Sequence, residues 1–290
     1  LQAVEEQEGK MYIGLPKEYS FQENRIVLTP GAVGVLVSRG HRVLVEAGAG
    51  LSSGFTDAEY SEDGAEICHN QRDVYKANII LKVEPPSLDE IDMMQNGQTL
   101  FSALQSSIQP ENYLRRLMDK KITAIAWDFV VDEEGIHPIV RAMGEIAGTT
   151  AILIAAELLA HHPNGRKAML GGITGVLPTE VVIIGAGTVA EYAIRAALGL
   201  GAHVTVFDES VFKLRRLQND IGARLNTCTI QPDKLHNALI EADVAIGSVR
   251  PSDGRAPCIV FEETVEQMKQ GAVIGDVSID RGGCFESSEI

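Results

Sequence analysis

Cysteine, aromatic side chains and positive charge are all sparse in this chain, and each shortage excludes something. The four cysteines, at positions 68, 228, 258 and 284, have neither the close spacing of a zinc site nor the density of a disulfide scaffold. Cys258 and Cys284 read as packing residues and all four as reduced thiols of a cytoplasmic protein, and no metal site is expected. Lysine and arginine total 25 against 40 aspartates and glutamates, a formal net charge of -15. Nucleic-acid backbones and anionic membranes need a basic surface, so both are disfavoured as partners, whereas a small anion can still bind locally. Long apolar runs are missing as well. The most apolar helical stretch, Ile146 to Ala160, carries Glu157 and is shorter than a bilayer requires, so it reads as a buried interdomain helix. The opening LQAVEEQEGK lacks the basic start and apolar centre of a signal peptide and reads as a loosely docked lead-in.

What is present is an ordinary globular composition, 45% hydrophobic and 22% charged, in a chain long enough for two domains with substantial cores. The most informative stretch is Val181 to Asp208, VVIIGAGTVAEYAIRAALGLGAHVTVFD: an apolar strand, a glycine turn, an amphipathic helix, a second apolar strand and a terminal acid. Gly185 permits a tight strand-to-helix turn, Gly187 lets a pyrophosphate approach the backbone, and Ala190 allows close packing of helix on strand. Phosphate then rests on the helix N-terminus, where backbone N–H groups and the helix dipole stabilise negative charge. Asp208 accepts hydrogen bonds from an adenosine ribose and repels a 2′-phosphate, which favours NAD over NADP. The alternative is a glycine turn used for packing alone.

Apolar runs at Met11–Leu15, Val43–Val45, Asn78–Val83, Thr99–Ala103 and Thr123–Trp127 read as strands between helical or loop segments, and the alternation implies a mainly parallel sheet. A helix is expected from Thr29 to Arg39, with Thr29 as cap, Pro30 in the first turn and Gly40 at its end. A long helical region from about Val140 to Ala160 leads into Gly171-Gly172-Ile173-Thr174-Gly175, the best candidate boundary. A second unit follows, with strands at 181–184, 203–207, 225–229, 243–247 and 272–276 alternating with helices at 188–199, 211–220, 232–241 and 262–269. The expected organisation is a first domain over residues 1–140, an interdomain helix and linker over 141–175, and a nucleotide domain over 176–290.

MYIGLPKEYSFQENRIVLTP, GHRVLVEAGAG, the Val181–Asp208 segment and VIGDVSIDRGGCFE together resemble the alanine dehydrogenase and transhydrogenase α-subunit family, in order and spacing along nearly the whole chain. The resemblance implies an α/β fold of two Rossmann-like parallel-sheet domains with a cleft between them, the first binding pyruvate or alanine and the second NAD. Arg25 matches the family's substrate-carboxylate arginine, a role suited to a guanidinium fork; outside that context it would read as an exposed arginine before a helix. Asp280 matches an acid near the nicotinamide end of the cleft, its alternative being a loop carboxylate that caps backbone amides. Thr188, Val189 and Ser248 complete the expected cofactor contacts, with Gly144, which stands where alanine dehydrogenases commonly place serine. A homo-oligomer is implied, with Glu191–Leu198 as a candidate face.

Two departures bear on chemistry. Glu84 occupies the place of the family's catalytic lysine, and Gln105 that of its catalytic histidine. An amide can hydrogen-bond a carbonyl but exchanges no proton near neutral pH. On an extended strand Lys82 and Glu84 share a face, so an ion pair between them is expected. Lys82 either polarises a substrate carbonyl beside Glu84 or serves with it as a structural pair. The proton-transfer group stays open among Lys82, Glu84, Asp280 and water. In the family the chain returns to the first domain after the DVSIDRGG-like segment, and this sequence stops at Ile290 before that return, so a piece of a longer protein is expected. The leading expectation is reversible, NAD-dependent deamination of L-alanine or another small amino acid. The alternative is a non-catalytic NAD(H)-binding module like the transhydrogenase α subunit, which also lacks the lysine–histidine pair.

Overall fold

A computed structural model describes residues 9–20, 23–106, 109–250 and 255–289; residues 1–8, most of the acidic lead-in, lie outside the described residues. The chain divides into two compact units, Leu1–Ile139 and Val140–Ile290. The first contains β1 (Tyr12–Leu15), α1 (Pro30–Ser38), β2 (Arg42–Glu46), α2 (Asp57–Glu62), β3 (Glu66–Cys68), α3 (Gln71–Val74), β4 (Ile79–Leu81), α4 (Leu88–Met93), β5 (Thr99–Ser102), α5 (Glu111–Asp119) and β6 (Thr123–Ala126). Its strands pair in parallel in the order β3-β2-β1-β4-β5-β6. Alternate residues pack on opposite faces: Ile13, Leu15, Val43, Val45 and Leu81 into one core, Ile80 and Leu100 into another. A parallel sheet is covered on both sides, which is why its strands read as continuous apolar runs. Thr29 caps α1 by accepting from Ala32 N, as its position suggests. The capping boxes Thr56/Glu59 and Ser87/Glu90 start α2 and α4. β3, absent from the sequence reading, is three residues long and opens on an exposed glutamate, too short to carry a pattern.

The second unit takes α6 (Pro138–His161), which begins two residues before it, then β7 (Glu180–Ile184), α7 (Thr188–Gly199), β8 (His203–Phe207), α8 (Val211–Ile221), β9 (Asn226–Cys228), α9 (Pro232–Ile240), β10 (Val244–Gly247), α10 (Glu262–Glu266) and β11 (Val273–Asp276). Its five parallel strands run β11-β10-β7-β8-β9. The two sheets thus grow the same way, outward in both directions from their first strand. Val181, Ile183, Val204, Val206, Val244 and Ile246 face one core, and Val182, Ile184, Phe207 and Ala245 the other.

Three expectations change here. The long helix spans 24 residues, close to the expected Val140–Ala160, and by length and composition it is sufficient to cross a membrane, whereas its most apolar stretch, Ile146 to Ala160, is too short by itself. It is not buried throughout. Gly148, Ile152, Ala155 and Leu159 form one stripe in the second unit, while Ile146, Leu153 and Ile154 are exposed. The helix and the glycine passage, set apart in sequence as residues 141–175, pack into the second unit: Gly172 N donates to Leu200 O, Thr179 N to Gly171 O, and Ile173 and Val176 form an antiparallel bridge. Finally, α7 buries Ala190, Ala193, Ile194 and Ala197 in its own core, and Glu191 pairs with Arg195 on its outer side, so the apolar face of the expected oligomer helix is already used.

The approach of α6 to α7 depends on Gly148, because a Cβ there would overlap the carbonyl oxygen of Val189 and stand 2.9 Å from Ala193 N. Gly148→Ala is expected to lower stability by about 1–3 kcal/mol through overpacking, measured as a lower urea midpoint at unchanged slope.

Candidate active and cofactor sites

In the second unit the strand order reverses between β7 and β10, which opens a crevice at the carboxyl ends of those parallel strands. Gly185 follows β7 with φ +110°, and a Cβ on it would lie 2.7 Å from Ser248 O, so backbone geometry alone requires glycine there. Ser248 closes the opposite side: its N and Oγ donate to Ile184 O at 2.8 and 2.9 Å. Gly187 is different. Its backbone is extended, and a Cβ would meet nothing within 4 Å. It is the N-cap of α7 and supplies no side-chain cap, leaving the first-turn N–H groups of Thr188 and Val189 suited to an anion. Gly144 of α6 adjoins them, its Cβ position 3.4 Å from Thr188 Cβ and 3.5 Å from Val189 Cγ2. A serine there would make ordinary contacts.

Asp208 stands just past β8 and is buried. Its Oδ2 accepts from Ala186 N and its Oδ1 from Ser210 N, both at 2.8 Å. The carboxylate therefore braces the glycine turn, and each oxygen keeps a further lone pair for a ribose hydroxyl. Free space at Gly187, exposed helix amides and an acid at the end of the second strand fit a dinucleotide. Asp280 is exposed in a single 3-10 turn, Ile279–Arg281, after β11. The amide-capping role considered for it belongs to Asp276, which accepts from Ser278 N, Cys284 N, Phe285 N and Ser288 Oγ at 2.8 to 3.2 Å. The signal in sequence was the position of Asp276 at a strand end before a Gly-Gly turn. Burial, with Asp276 beside it, pushes the Cys284 thiol up to about 12, in keeping with a packing cysteine.

In the first unit the strand order reverses between β1 and β4, and the other candidates gather at the carboxyl ends of these strands. The expected Lys82–Glu84 pair does not form. β4 ends at Leu81, so the two-residue alternation stops before Lys82. Lys82 is fully buried and its Nζ donates to Glu18 Oε2 at 2.8 Å and to Glu90 Oε1 at 3.1 Å. Glu18 Oε1 also accepts from Val83 N at 2.7 Å, Glu90 accepts from Tyr75 Oη at 2.9 Å, and Trp127 Nε1 donates to Lys82 O at 2.8 Å. Lys82 thus has partners other than the one expected. Burial raises Glu18 above the ordinary carboxyl range despite the ammonium beside it. Nothing in the local pattern of Lys17-Glu18 announces this role, since its partners lie 64 and more residues away.

Glu84 turns instead toward Arg25. Glu23 holds Arg25 bidentately, Nε to Oε1 at 2.9 Å and Nη2 to Oε2 at 2.5 Å, and accepts its backbone N–H at 2.8 Å. Glu84 Oε1 lies 3.6 Å from Arg25 Nη2. The guanidinium side chain is 52% exposed, while that of Glu84 is 25% and that of Glu23 8%. Burial and the neighbouring Glu23 raise Glu84 above its usual range, Arg25 opposing them. Burial acts the same way on Glu23, but its hydrogen bonds with Arg25 outweigh it and hold Glu23 low. Gln105, half-buried beyond β5, adopts φ +47°, a left-handed conformation uncommon outside glycine. It lies two residues past Ala103, whose N donates to Val83 O at 3.0 Å.

Comparison with known proteins gives one family for both units. The family models described as alanine dehydrogenase/PNT, N-terminal and C-terminal domain, match residues 14–147 and 151–290. The alanine dehydrogenase of Bacillus subtilis (strain 168) is 42% identical over 277 residues, covering 96% of this chain and 73% of that protein. That of Mycolicibacterium smegmatis is 40% identical over 279 residues, 96% and 75% of the two chains. A solved L-alanine dehydrogenase superposes with a TM-score of 0.88 at 38% identity, covering 96% of this chain and 76% of the other. A transhydrogenase from Sinorhizobium meliloti does so with a TM-score of 0.82 at 27% identity, covering 96% and 81%.

Removing the ammonium leaves two buried carboxylates uncompensated. Lys82→Met is expected to cost about 3–5 kcal/mol of stability, and combining it with Glu18→Gln and Glu90→Gln to recover a large part of that loss; denaturant unfolding of the variants measures both.

Proposed function

Because the chain belongs to the alanine dehydrogenase/PNT family, we propose that it is an NAD-dependent dehydrogenase that converts L-alanine, NAD+ and water into pyruvate, ammonium, NADH and a proton, reversibly. Arg25 at the β1/β4 reversal carries this reading, a half-exposed guanidinium at the carboxyl end of a parallel sheet. It orients the substrate carboxylate. NAD, when bound, accepts the hydride from the α-carbon. The open face of Gly187 and the N–H groups of Thr188 and Val189 receive the pyrophosphate, and Asp208 accepts from the ribose. Gly144 leaves room at the α7 N-terminus, and Ser248 shapes the opposite wall. Gln105 donates to the substrate carbonyl but moves no proton. Proton transfer falls to Glu84, Asp280 or water, since Lys82 is enclosed by carboxylates. Free thiols at all four cysteines support a cytoplasmic setting, and the family resemblance supports a homo-oligomer.

A second reading, a NAD(H)-binding module without amino-acid turnover, draws support from Glu84 and Gln105 at the positions of the family's lysine and histidine. NADH formation with L-alanine and a panel of other amino acids, beside calorimetry of NADH binding, separates the two. Turnover on alanine supports the dehydrogenase; tight NADH binding with no turnover on any amino acid supports the module. Two variants should separate the sites. Gly187→Ala meets no protein atom, so it should fold normally yet bind NADH roughly tenfold or more weakly, about 1.4 kcal/mol. Arg25→Met should leave NADH affinity unchanged and raise the KM for alanine by roughly tenfold or more.

A further inference from the structure

The family's lysine position is filled by a carboxyl group, and that group stands against the guanidinium which reads as the anchor of the substrate carboxylate. Glu23 already occupies the Nε–Nη2 edge of Arg25 with two hydrogen bonds and neutralises it. Nη2 also faces Glu84 Oε1, 3.6 Å away. An ionised Glu84 makes this three-residue cluster anionic, and a substrate carboxylate would then meet two carboxylates on one guanidinium. The segment that carries Glu84 cannot swing clear at low cost: Glu18 holds Val83 N, Trp127 holds Lys82 O, and Ala103 N holds Val83 O. The charge must therefore be removed where it stands.

We propose that Glu84 is a resident competitor for Arg25: ionised, it occupies the guanidinium, and protonated, it yields it, so that a carboxylate substrate binds together with a proton. The inference rests on the reading of Arg25 as the carboxylate anchor. The charged groups acting on Glu84 are Glu23 and Arg25, both on the stretch after β1, and the more distant Glu18; Lys82, on its own stretch, is committed to Glu18 and Glu90. Burial, then Glu23 and Glu18, disfavour the ionised form and Arg25 favours it, so the proton is held on Glu84 above the ordinary carboxyl range and is lost as pH rises through that raised value. Substrate carboxylate, by displacing Glu84 from Arg25, raises it further. Linkage then requires binding to weaken by about tenfold per pH unit above the titration of Glu84, and to take a proton from the buffer.

The test is calorimetry of pyruvate binding to the NADH-saturated protein across the weakly acidic to neutral range, in buffers of different ionisation enthalpy, with Glu84→Gln and Arg25→Met alongside. The expected result is proton uptake and pH-dependent affinity in the unaltered protein, and neither in Glu84→Gln, which should bind pyruvate with one affinity throughout. Proton uptake by the unaltered protein is informative even if that variant folds poorly. Binding without proton uptake, or the same pH dependence in Glu84→Gln, overturns the proposal while leaving the dehydrogenase reading intact. Pyruvate affinity unchanged in Arg25→Met, or absent from the unaltered protein at every pH, removes the anchor itself and the proposal with it.

Discussion

Burying both faces of a parallel sheet confines charged side chains to its ends, and the two units of this protein are organised by that constraint. Where successive crossovers diverge, between β1 and β4 in one unit and between β7 and β10 in the other, the covering helices part and strand termini become accessible. Arg25, Glu23 and Glu84 collect at the first divergence, and Gly185, Gly187 and Ser248 at the second, with Asp208 one strand further out. The apolar interior does no chemistry itself but fixes the ends that do.

Much of this was legible because the relevant forces are local. Gly185 needs a positive φ, Thr29 needs only to reach an amide three residues on, and the apolar strands need no partner to declare themselves. The second unit could be read almost element by element, since strand, turn, helix and acid follow one another without interruption. What escaped depends on contacts between distant residues. Glu18, Lys82 and Glu90 are unremarkable in their own neighbourhoods, and the cluster appears only when the sheet brings them together. The Lys82–Glu84 expectation failed for a related reason: alternation holds within a strand, and β4 stops at Leu81, before either residue.

Glu90 shows how closely support and function are joined in the first unit. One carboxylate oxygen accepts from Ser87 N at the start of α4, and the other accepts from Lys82 Nζ and Tyr75 Oη. A helix terminus, a buried ammonium and a buried phenol are thus satisfied by one side chain. The same cluster, through Glu18 and Val83, sets the height at which Glu84 meets Arg25. A carboxyl group at position 84 decides what the guanidinium faces, while the post that carries it is built from other residues.

Asp208 carries a different consequence. Its two oxygens are held by amides on either side of it, one in the glycine turn and one past the strand. The negative charge is therefore oriented before any dinucleotide arrives and cannot rotate away from an unsuitable one. On the proposed reading of Asp208 as the ribose acceptor, recognition is rigid, not adaptive, and discrimination against a phosphorylated ribose is inseparable from the order of the turn. Re-engineering this protein for the phosphorylated cofactor would mean rebuilding the loop, because exchanging the acid alone would loosen the cradle along with its preference.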